Sequence, residues 1–523
     1  MNYNEKRFKL DILNLNNFKL RNQNEILSLR KKKLNNKFLE RRINSLKNLN
    51  IEKIDNLLIQ LKNNKNEEEI TLNILIKIKE MLISNFEFEE EKKEEQNFNF
   101  ITLINNDFIV ICHDILEKFF FPNFIEQLIN IFLYSSLMIF NISNEDFNSK
   151  QNYFISEDRF LNNYVKIFNV YNENEEIIIK LIRFFGNIID KNQVNQTIFL
   201  KLGIFDLLLN YTKDKMISNE LLIILTWFFN LIKLDKLFEI NINFLKKVQE
   251  LFISSLLSGR NLSKNELIEI SKYSIEGMIY ISQNDNEIIM NEFYNYNLIS
   301  FLLDSEFDNE EVEILILNFF GNLTAYSIQK VEKLINYGLL NKLYNIINSN
   351  FNISEIIRQK AFWNINNIFS EKDLFRKIIN ETNQINLIIN VIKKDTCNSI
   401  SFYNEILIFI CNIINYSTVN ELLLFICKDE ITSIILNILE NILNSKKKNF
   451  ENICIIATTN IFKLLYHSAQ NICHESFIYF QKEGIEEICD KVLMTLNEDK
   501  DDINELITKW EILKYHFYSN KYL

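Results

Sequence analysis

Proline and glycine are scarce in this sequence, which has one Pro and seven Gly among 523 residues. All-β sandwiches and barrels need such residues at their many turns, so that fold class is nearly excluded. Hydrophobic residues make up 47% of the chain, and 44 Phe supply ample material for a core. Long amphipathic helices are therefore the expected structure.

Cysteine pairs and long apolar runs are missing as well. The seven Cys are an odd number without a C-x-x-C motif, and the adjacent pairs Cys112-His113 and Cys473-His474 have no second pair nearby at zinc spacing. We expect buried, reduced thiols and no metal site. The longest apolar stretches are shorter than the ~20 residues that span a bilayer, and the N-terminus does not resemble a signal peptide. We therefore expect a soluble protein.

Catalytic motifs are also lacking. The sequence contains no P-loop, GxGxxG, GxSxG or HExxH motif. Isolated histidines without a paired base or nucleophile are more often structural than catalytic. We expect neither an enzyme nor a cofactor. The histidines concerned are His113, His467, His474 and His516.

Charge is strongly partitioned along the chain. Residues 1–44 carry twelve Lys+Arg and four Asp+Glu, a net charge of +8. Residues 45–523 carry 46 Lys+Arg and 65 Asp+Glu, a net charge of −19. A basic arm of this kind binds an acidic partner, whether nucleic acid, another protein or its own chain. Since the body is acidic, nucleic acid is disfavoured because phosphate binding needs many cationic contacts.

An internal repeat dominates the rest of the chain. Apolar segments recur with an Asn, or once a Tyr, at intervals of 42 to 50 residues. This matches the three-helix armadillo or related HEAT period of about 40–47 residues. We call the recurring residue the ladder position. Its members are Asn141, Asn187, Asn230, Tyr280, Asn322, Asn367, Asn412 and Asn460.

Glycine placement supports the same period. Gly186 and Gly321 directly precede ladder residues, while Gly203, Gly338 and Gly484 each open an apolar segment. In the second group, Gly can adopt the left-handed backbone needed where one helix ends and the next turns away.

These repeats predict an all-α, armadillo-repeat, right-handed superhelical solenoid with an extended concave surface. We expect a basic arm at 1–44, a linker with a first helix at 45–67, about ten repeats at 68–517 and a tail at 518–523. If the ladder helices line the concave surface, each carboxamide offers a donor and an acceptor to an extended peptide.

The basic arm resembles the importin-beta-binding segment of the importin alpha family. The match runs without a gap over residues 25–44, "EILSLRKKKLNNKFLERRIN". An interrupted apolar stripe flanked by cations suits an acidic groove. A free nuclear-localisation or RNA-binding tract is the alternative. The resemblance implies importin-beta contacts at Arg21, Arg30, Lys31, Lys32, Lys33, Lys37, Arg41 and Arg42.

The repeat array is also similar to importin alpha. "RQKAFWNINNIFSEK" resembles a family helix in which Trp and Asn stand four apart, here Trp363 and Asn367, and Tyr280 falls where the family tends to have Tyr. Trp363 could instead be plain core. The resemblance implies cargo-peptide contacts at Asn141, Asn187, Asn230, Tyr280, Asn322, Trp363, Asn367, Glu405 and Asn412, and with less support at Arg183, Asp190 and Trp227.

The sequence departs from the family at the expected tryptophans. Four residues before each of the first seven ladder residues stand Leu137, Arg183, Thr226, Glu276, Asn318, Trp363 and Ile408. Trp227 is one position late, which rotates it by ~100° around a helix. Lys360 also stands where the family usually has Glu. We therefore expect a retuned pocket that binds atypical signals.

The resemblance implies a nuclear import adaptor that shuttles between cytoplasm and nucleus. Its partners would be importin beta, cargo proteins with basic nuclear localisation signals, and an export receptor with Ran; no nucleic acid or membrane insertion is expected. The alternative is an armadillo-repeat scaffold that binds extended peptides outside nuclear transport.

Overall fold

The structure is a computed structural model. It describes residues 52–87, 106–140, 152–155, 157–190, 192–211, 218–232, 242–258, 262–283, 286–305, 307–348, 353–381, 384–394, 400–418, 421, 431–444, 457–461, 485–495, 504, 507–512 and 514–515. These residues form helices and connecting turns, and none of them forms a β-strand. No helix within them is long and apolar enough to cross a membrane.

The chain divides into two compact units, Met1–Gly277 and Met278–Leu523. The last helix of the first unit, α11, continues past this boundary. The helices up to α11 are α1 (Glu52–Asn64), α2 (Glu68–Glu87), α3 (Asn106–Lys118), α4 (Pro122–Phe140), α5 (Asp158–Val170), α6 (Glu175–Ile189), α7 (Gln193–Lys201), α8 (Ile204–Tyr211), α9 (Asn219–Asn230), α10 (Ile242–Ser258) and α11 (Lys264–Ile281), with a 3₁₀-helix at Asn152–Ile155.

The second unit contains consecutive triplets in which two shorter helices precede a longer third helix. These are α12 (Glu287–Phe293), α13 (Tyr296–Asp304) and α14 (Glu310–Thr324); α15 (Ile328–Asn336), α16 (Leu339–Asn348) and α17 (Glu355–Phe369); and α18 (Lys372–Glu381), α19 (Gln384–Lys394) and α20 (Ile400–Tyr416). Beyond them lie α21 (Ile431–Asn444) and α22 (Ile485–Thr495). The prediction of an all-α armadillo-type array is confirmed.

Third helices of neighbouring repeats pack side by side. In the first unit α4 contacts α6, and α6 contacts α9; in the second, α14 contacts α17, and α17 contacts α20. Phenylalanine fills the core between them, with Phe184, Phe228 and Phe362 each at 0% exposure. Burying an aromatic side chain of this size contributes on the order of 2–3 kcal/mol, so the aromatic content of the sequence becomes inter-helix packing.

Four third helices begin at a polar cap, which determines which residues share their exposed face. Side-chain oxygens of Asn174, Ser218, Asn309 and Ser354 accept hydrogen bonds from backbone N–H groups in the first turns of α6, α9, α14 and α17. Such caps contribute ~1 kcal/mol each. Because the cap defines the first turn, residues at equal distances from it occupy equivalent places in different repeats.

Glycine has a backbone role at the turn between first and second helices. Gly203, between α7 and α8, has φ +71°, and Gly338, between α15 and α16, has φ +103°. Residues with a Cβ rarely adopt this left-handed region. The predicted turn conformation is thus present at both glycines; Gly484 lies outside the described residues.

Candidate functional site

One hydrogen bond recurs between successive third helices of the second unit. The side-chain Nδ2 of Asn322 donates to Ile279 O at 3.2 Å, that of Asn367 to Gly321 O at 3.0 Å, and that of Asn412 to Asn366 O at 3.5 Å. In each step the acceptor belongs to the residue directly before the ladder position of the preceding repeat. The ladder is therefore a geometric repeat as well as a sequence repeat.

In two of these steps the asparagine Nδ2 also donates to a hydroxyl group. Asn322 also donates to Ser282 Oγ at 2.9 Å, and Asn367 donates to Thr324 Oγ1 at 3.3 Å. A carbonyl oxygen can only accept, so the amide nitrogen must face the preceding repeat. With the N–H groups used in this way, the half-exposed Asn322 and Asn367 keep Oδ1 as their remaining polar atom. Each of these side chains therefore offers an acceptor to a peptide, and not the donor and acceptor expected from the sequence.

The same motif appears in the first unit with Tyr at the preceding ladder position. Asn187 Nδ2 donates to Ser136 Oγ at 3.1 Å, and Ser136 Oγ donates to Leu133 O at 2.8 Å. By analogy with Ser282 and Thr324, this hydroxyl lies two residues after the ladder position, which is Tyr134. The predicted Asn141 lies outside the described residues.

Trp227 and Trp363 occupy equivalent places, although the sequence alignment separates them by one position. A Cβ at Gly186 would overlap Cζ3 and Cη2 of Trp227, and a Cβ at Gly321 would overlap the same atoms of Trp363. Leu231 therefore holds the ladder position of α9. Counting from the caps agrees, since Leu231, Asn322 and Asn367 each lie thirteen residues after the N-cap.

Asn230 consequently corresponds to Asn366, and the hydrogen bonds agree. Asn230 Nδ2 donates to Glu276 Oε2 at 2.8 Å, and Asn366 Nδ2 donates to Glu405 Oε2 at 2.8 Å. Each bond joins a third helix to a carboxylate on the next one. The prediction that Asn230 is a ladder residue is thus corrected by one position, because α9 places its cap and its Trp one residue later relative to Asn230.

Asn460 is likewise displaced from the ladder. Its Nδ2 donates to Leu407 O at 2.9 Å, just as Asn364 Nδ2 donates to Leu317 O at 2.9 Å. Asn364 lies three residues before Asn367. Both Asn460 and Asn364 are fully buried, so they connect helices inside the core and do not face a groove.

The Trp363 region combines a cation, an indole and a buried carboxyl group. Lys360 Nζ lies 5.2 Å from the centre of the Trp363 ring, within cation–π range. Glu405, 6% exposed, lies on the adjacent helix α20. Burial raises the pKa of Glu405 to about 7, against opposing effects of the Asn366 hydrogen bond and the Lys360 charge. Near neutral pH this carboxyl is therefore partly protonated.

The equivalent place four residues before Asn187 holds a cation. Arg183 Nη2 donates to Glu220 Oε1 at 3.1 Å, and both side chains are partly exposed. Burial lowers the pKa of the Arg183 guanidinium, while Glu220 and nearby tyrosines oppose this effect. Asp190, directly after α6, is buried. Four residues before its ladder position, α6 therefore carries a cation, whereas α17 carries the Trp363 indole.

By the exposure of their side chains, the predicted site residues fall into two groups, and a third group lies outside the described residues. Half-exposed on third helices are Arg183, Trp227, Tyr280, Asn322, Trp363, Asn367 and Asn412. Buried are Asn187, Asp190, Asn230 and Glu405. Outside the described residues lie Asn141 and the arm residues Arg21, Arg30, Lys31, Lys32, Lys33, Lys37, Arg41 and Arg42.

Sequence reasoning missed three buried residues of the ladder contacts, Tyr134, Ser282 and Thr324, and the pairing of Glu276 with Asn230. A usable signal existed in the glycines, since Trp227 follows Gly186 by 41 residues and Trp363 follows Gly321 by 42. The hydroxyls two residues after Tyr280 and Asn322 were a second signal. Neither signal is specific until the packing of adjacent third helices is known.

The adjacent pair Cys112-His113 belongs to the core. His113 stacks on Phe160 with ring centres 3.9 Å apart; its Nδ1 accepts from Asn163 Nδ2 at 3.2 Å, and its Nε2 donates to Tyr164 Oη at 3.0 Å. Burial, with a smaller contribution from Arg159, lowers the pKa of His113 to about 3. Both ring nitrogens are thus used in a neutral imidazole.

Comparison with known proteins supports the fold. No protein-family model matches the sequence, and no curated protein matches it. The chain is similar to the crystal structure of an engineered protein, with TM-score 0.60 and 12% identity over 89% of this chain and 99% of that chain. It also resembles a computationally designed armadillo repeat protein for modular peptide recognition (18% identity, TM-score 0.36, 51% of this chain and 99% of that one). A designed armadillo repeat protein in complex with the peptide (KR)4 is similar at 17% identity and TM-score 0.37, over 51% and 98% of the two chains.

Proposed function

We propose that this protein is a non-catalytic adaptor that binds extended polypeptide segments along its third helices. The observation that carries the proposal is the repeated orientation of Asn322, Asn367 and Asn412, each of which donates its Nδ2 to the preceding repeat. The Oδ1 atoms of these half-exposed residues then form a row of hydrogen-bond acceptors with the spacing of the repeat.

A row of acceptors suits a peptide backbone better than a particular side chain. Every residue of a partner except Pro carries one backbone N–H, so the contact is independent of sequence. Packed helices lie about 8–10 Å apart, which corresponds to roughly three residues of an extended chain. A partner held in this way would donate about one backbone N–H to each repeat.

The finer proposal is a nuclear import adaptor. Its support is the resemblance of residues 25–44 to the importin-beta-binding segment and the net charge of +8 on residues 1–44. In this proposal the arm binds importin beta, the third helices bind cargo with nuclear localisation signals, an export receptor with Ran recycles the adaptor, and the protein moves between cytoplasm and nucleus.

The alternative is an armadillo scaffold outside nuclear transport. It is favoured by the cations Arg183 and Lys360 on third helices, because a receptor for basic signals gains from carboxylates and exposed indoles there. Both proposals use the same acceptor row, and they differ in what the basic arm binds.

Peptide binding is tested with the full chain and a random 12-residue peptide library. A selected binder is resynthesised with one backbone N-methyl group at each position in turn, which removes one N–H donor and leaves the protein unchanged. We expect affinity losses of roughly tenfold at positions about three residues apart. A flat profile contradicts the acceptor row, and failure to select any binder contradicts peptide binding.

The arm's role is tested by capture of importin beta on the full chain. A variant with Arg30, Lys31 and Lys32 changed to Glu should lose capture. The matched control changes three partly exposed body lysines, Lys62, Lys377 and Lys491, to Glu and should retain it. Equal capture by both variants, or none by the unmodified chain, favours the scaffold alternative.

A further inference from the structure

We propose that Lys360 determines the specificity of the Trp363 subsite, so that this step of the peptide-binding face takes an uncharged ligand side chain and rejects a basic one. The inference rests on the proposed function, and it names the class of side chain accepted at one subsite. It runs opposite to the basic-signal expectation drawn from the family resemblance.

The first argument is occupancy of the ring. Lys360 precedes Trp363 by three residues on α17, so both side chains lie on one face of the helix. Lys360 Nζ lies 5.2 Å from the ring centre. A ligand lysine or arginine would seek this same attraction, and it would have to displace a cation that is already tethered there.

The second argument is the depth of the nearest carboxylate on α20. Glu405 would be the natural partner for a ligand cation, but it is 6% exposed and accepts from Asn366 Nδ2 at 2.8 Å. Lys360 interacts with it electrostatically from the side of α17. A ligand cation would thus reach neither a bare indole nor an open Glu405, and it would meet a like charge at short range.

The third argument is the fixed position of the indole. Its Cζ3 and Cη2 atoms lie over Gly321 of α14, where a Cβ would overlap them. The ring therefore cannot turn freely to present a different surface to a ligand. An apolar side chain needs only the remaining half-exposed surface of Trp363 and the aliphatic stem of Lys360, and it brings no second charge.

The experiment uses the full chain and a peptide selected from the random library. Each position of the peptide is replaced in turn by lysine and by norleucine, which has a similar stem without the ammonium group. At one position we expect norleucine to be preferred over lysine by about tenfold. In Lys360→Met this preference should be lost or reversed at that position alone.

The matched control is Lys377→Met on α18, where Lys377 Nζ pairs with Glu332 Oε1 of α15 at 3.1 Å. It should keep the preference of the unmodified chain. Lys360→Gln provides a second uncharged variant with a polar end, and it should behave as Lys360→Met does. Unchanged thermal unfolding midpoints establish that these substitutions leave the fold intact.

Two results overturn the inference while leaving peptide binding intact: the unmodified chain prefers lysine at every position, or the norleucine preference persists in both Lys360 variants. Loss of binding to every peptide, in every variant and in the unmodified chain, instead overturns the proposed function together with this subsite.

Discussion

Gly321 on α14 and Trp363 on α17 are packed so closely that residue 321 has no room for a side chain. An added Cβ at residue 321 would overlap the Cζ3 and Cη2 atoms of the indole. The carbonyl oxygen of Gly321 also accepts a hydrogen bond from Asn367 Nδ2 at 3.0 Å. Asn367 lies one helical turn beyond Trp363. A steric contact and a polar contact thus align the same pair of third helices.

Gly321→Ala should destabilise the protein, because the added methyl group must push the indole or separate the helices. Overpacking of this kind typically costs about 1–3 kcal/mol. The loss would be measured as the decrease in the free energy of unfolding of the second unit in urea. In a Trp363→Ala background, where the ring is absent, the same glycine substitution should cost much less. Equal costs in both backgrounds would show that the contact is not responsible.

Asn367→Asp should also destabilise the repeat. A carboxylate cannot donate to Gly321 O or Thr324 Oγ1, and it places a negative charge beside a carbonyl oxygen. We expect a cost of about 1–3 kcal/mol at neutral pH. The matched control is Asn345→Asp on the exposed surface of α16, which should change stability by less than about 0.5 kcal/mol. Similar effects at both sites would contradict the assigned amide orientation.

His113 should make stability depend on pH in the acid range. Its pKa is lowered from 6.5 to about 3 in the folded protein, by burial first and Arg159 second. A lowered histidine pKa means that the folded state opposes protonation. The stability that depends on a neutral His113 is therefore fully present above pH 6.5. It is lost as pH falls toward 3, at up to about 1.4 kcal/mol per pH unit.

The measurement is the urea midpoint of the first unit from pH 8 to pH 4. Carboxylates titrate in the same range, so the comparison is with His113→Gln, which keeps polar atoms near Asn163 and Tyr164 but cannot be protonated. The unmodified chain should lose stability more steeply than the variant below pH 6.5. Parallel pH profiles would mean that His113 does not remain neutral in the core.

Glu405 predicts a pH dependence of the opposite sign. Burial raises its pKa from 4.5 to about 7, so the folded state favours the protonated carboxyl. The stability that depends on a protonated Glu405 is fully present below pH 4.5 and is lost as pH rises through 7. Glu405→Gln should therefore stabilise the protein at pH 8, by up to roughly 3 kcal/mol, and have little effect at pH 4.5.

Glutamine also adds an amide donor to a side chain that contacts Asn366, whose Oδ1 is buried and has no hydrogen-bond partner among the described residues. The check is the difference in unfolding free energy between Glu405→Gln and the unmodified chain at pH 4.5, 6 and 8. A gain that is the same at all three pH values would come from that new hydrogen bond and not from the removed charge.

Several elements of the fold could be predicted from the sequence because their causes are local. Gly203 and Gly338 open second helices, and both adopt the left-handed backbone that favours glycine. The recurrence of Asn322, Asn367 and Asn412 identified the repeat correctly. A period is visible in one dimension because each repeat must bury the same apolar face against its neighbours.

The register of α9 could not be predicted, because it depends on a contact between repeats. Asn230 stands next to Leu231, and residue type alone favoured the asparagine. The position of Trp227 over Gly186 and the cap at Ser218 assign the ladder position to Leu231. A one-residue change in a helix start moves each side chain by ~100°, and sequence spacing of 42 to 50 residues does not resolve it.

The sequence by itself determined the helical class, the repeat period and the separation of a basic arm from an acidic body, because composition, periodicity and charge are properties of the chain. Only the tertiary structure decided that the ladder amides donate to the preceding repeat, that Lys360 lies at the Trp363 ring, and that Glu405 is buried. The physical reason is that the ladder hydrogen bonds and the burial of Glu405 arise between neighbouring helices of different repeats. Lys360 and Trp363 share α17, but Gly321 of the preceding third helix fixes the position of the indole.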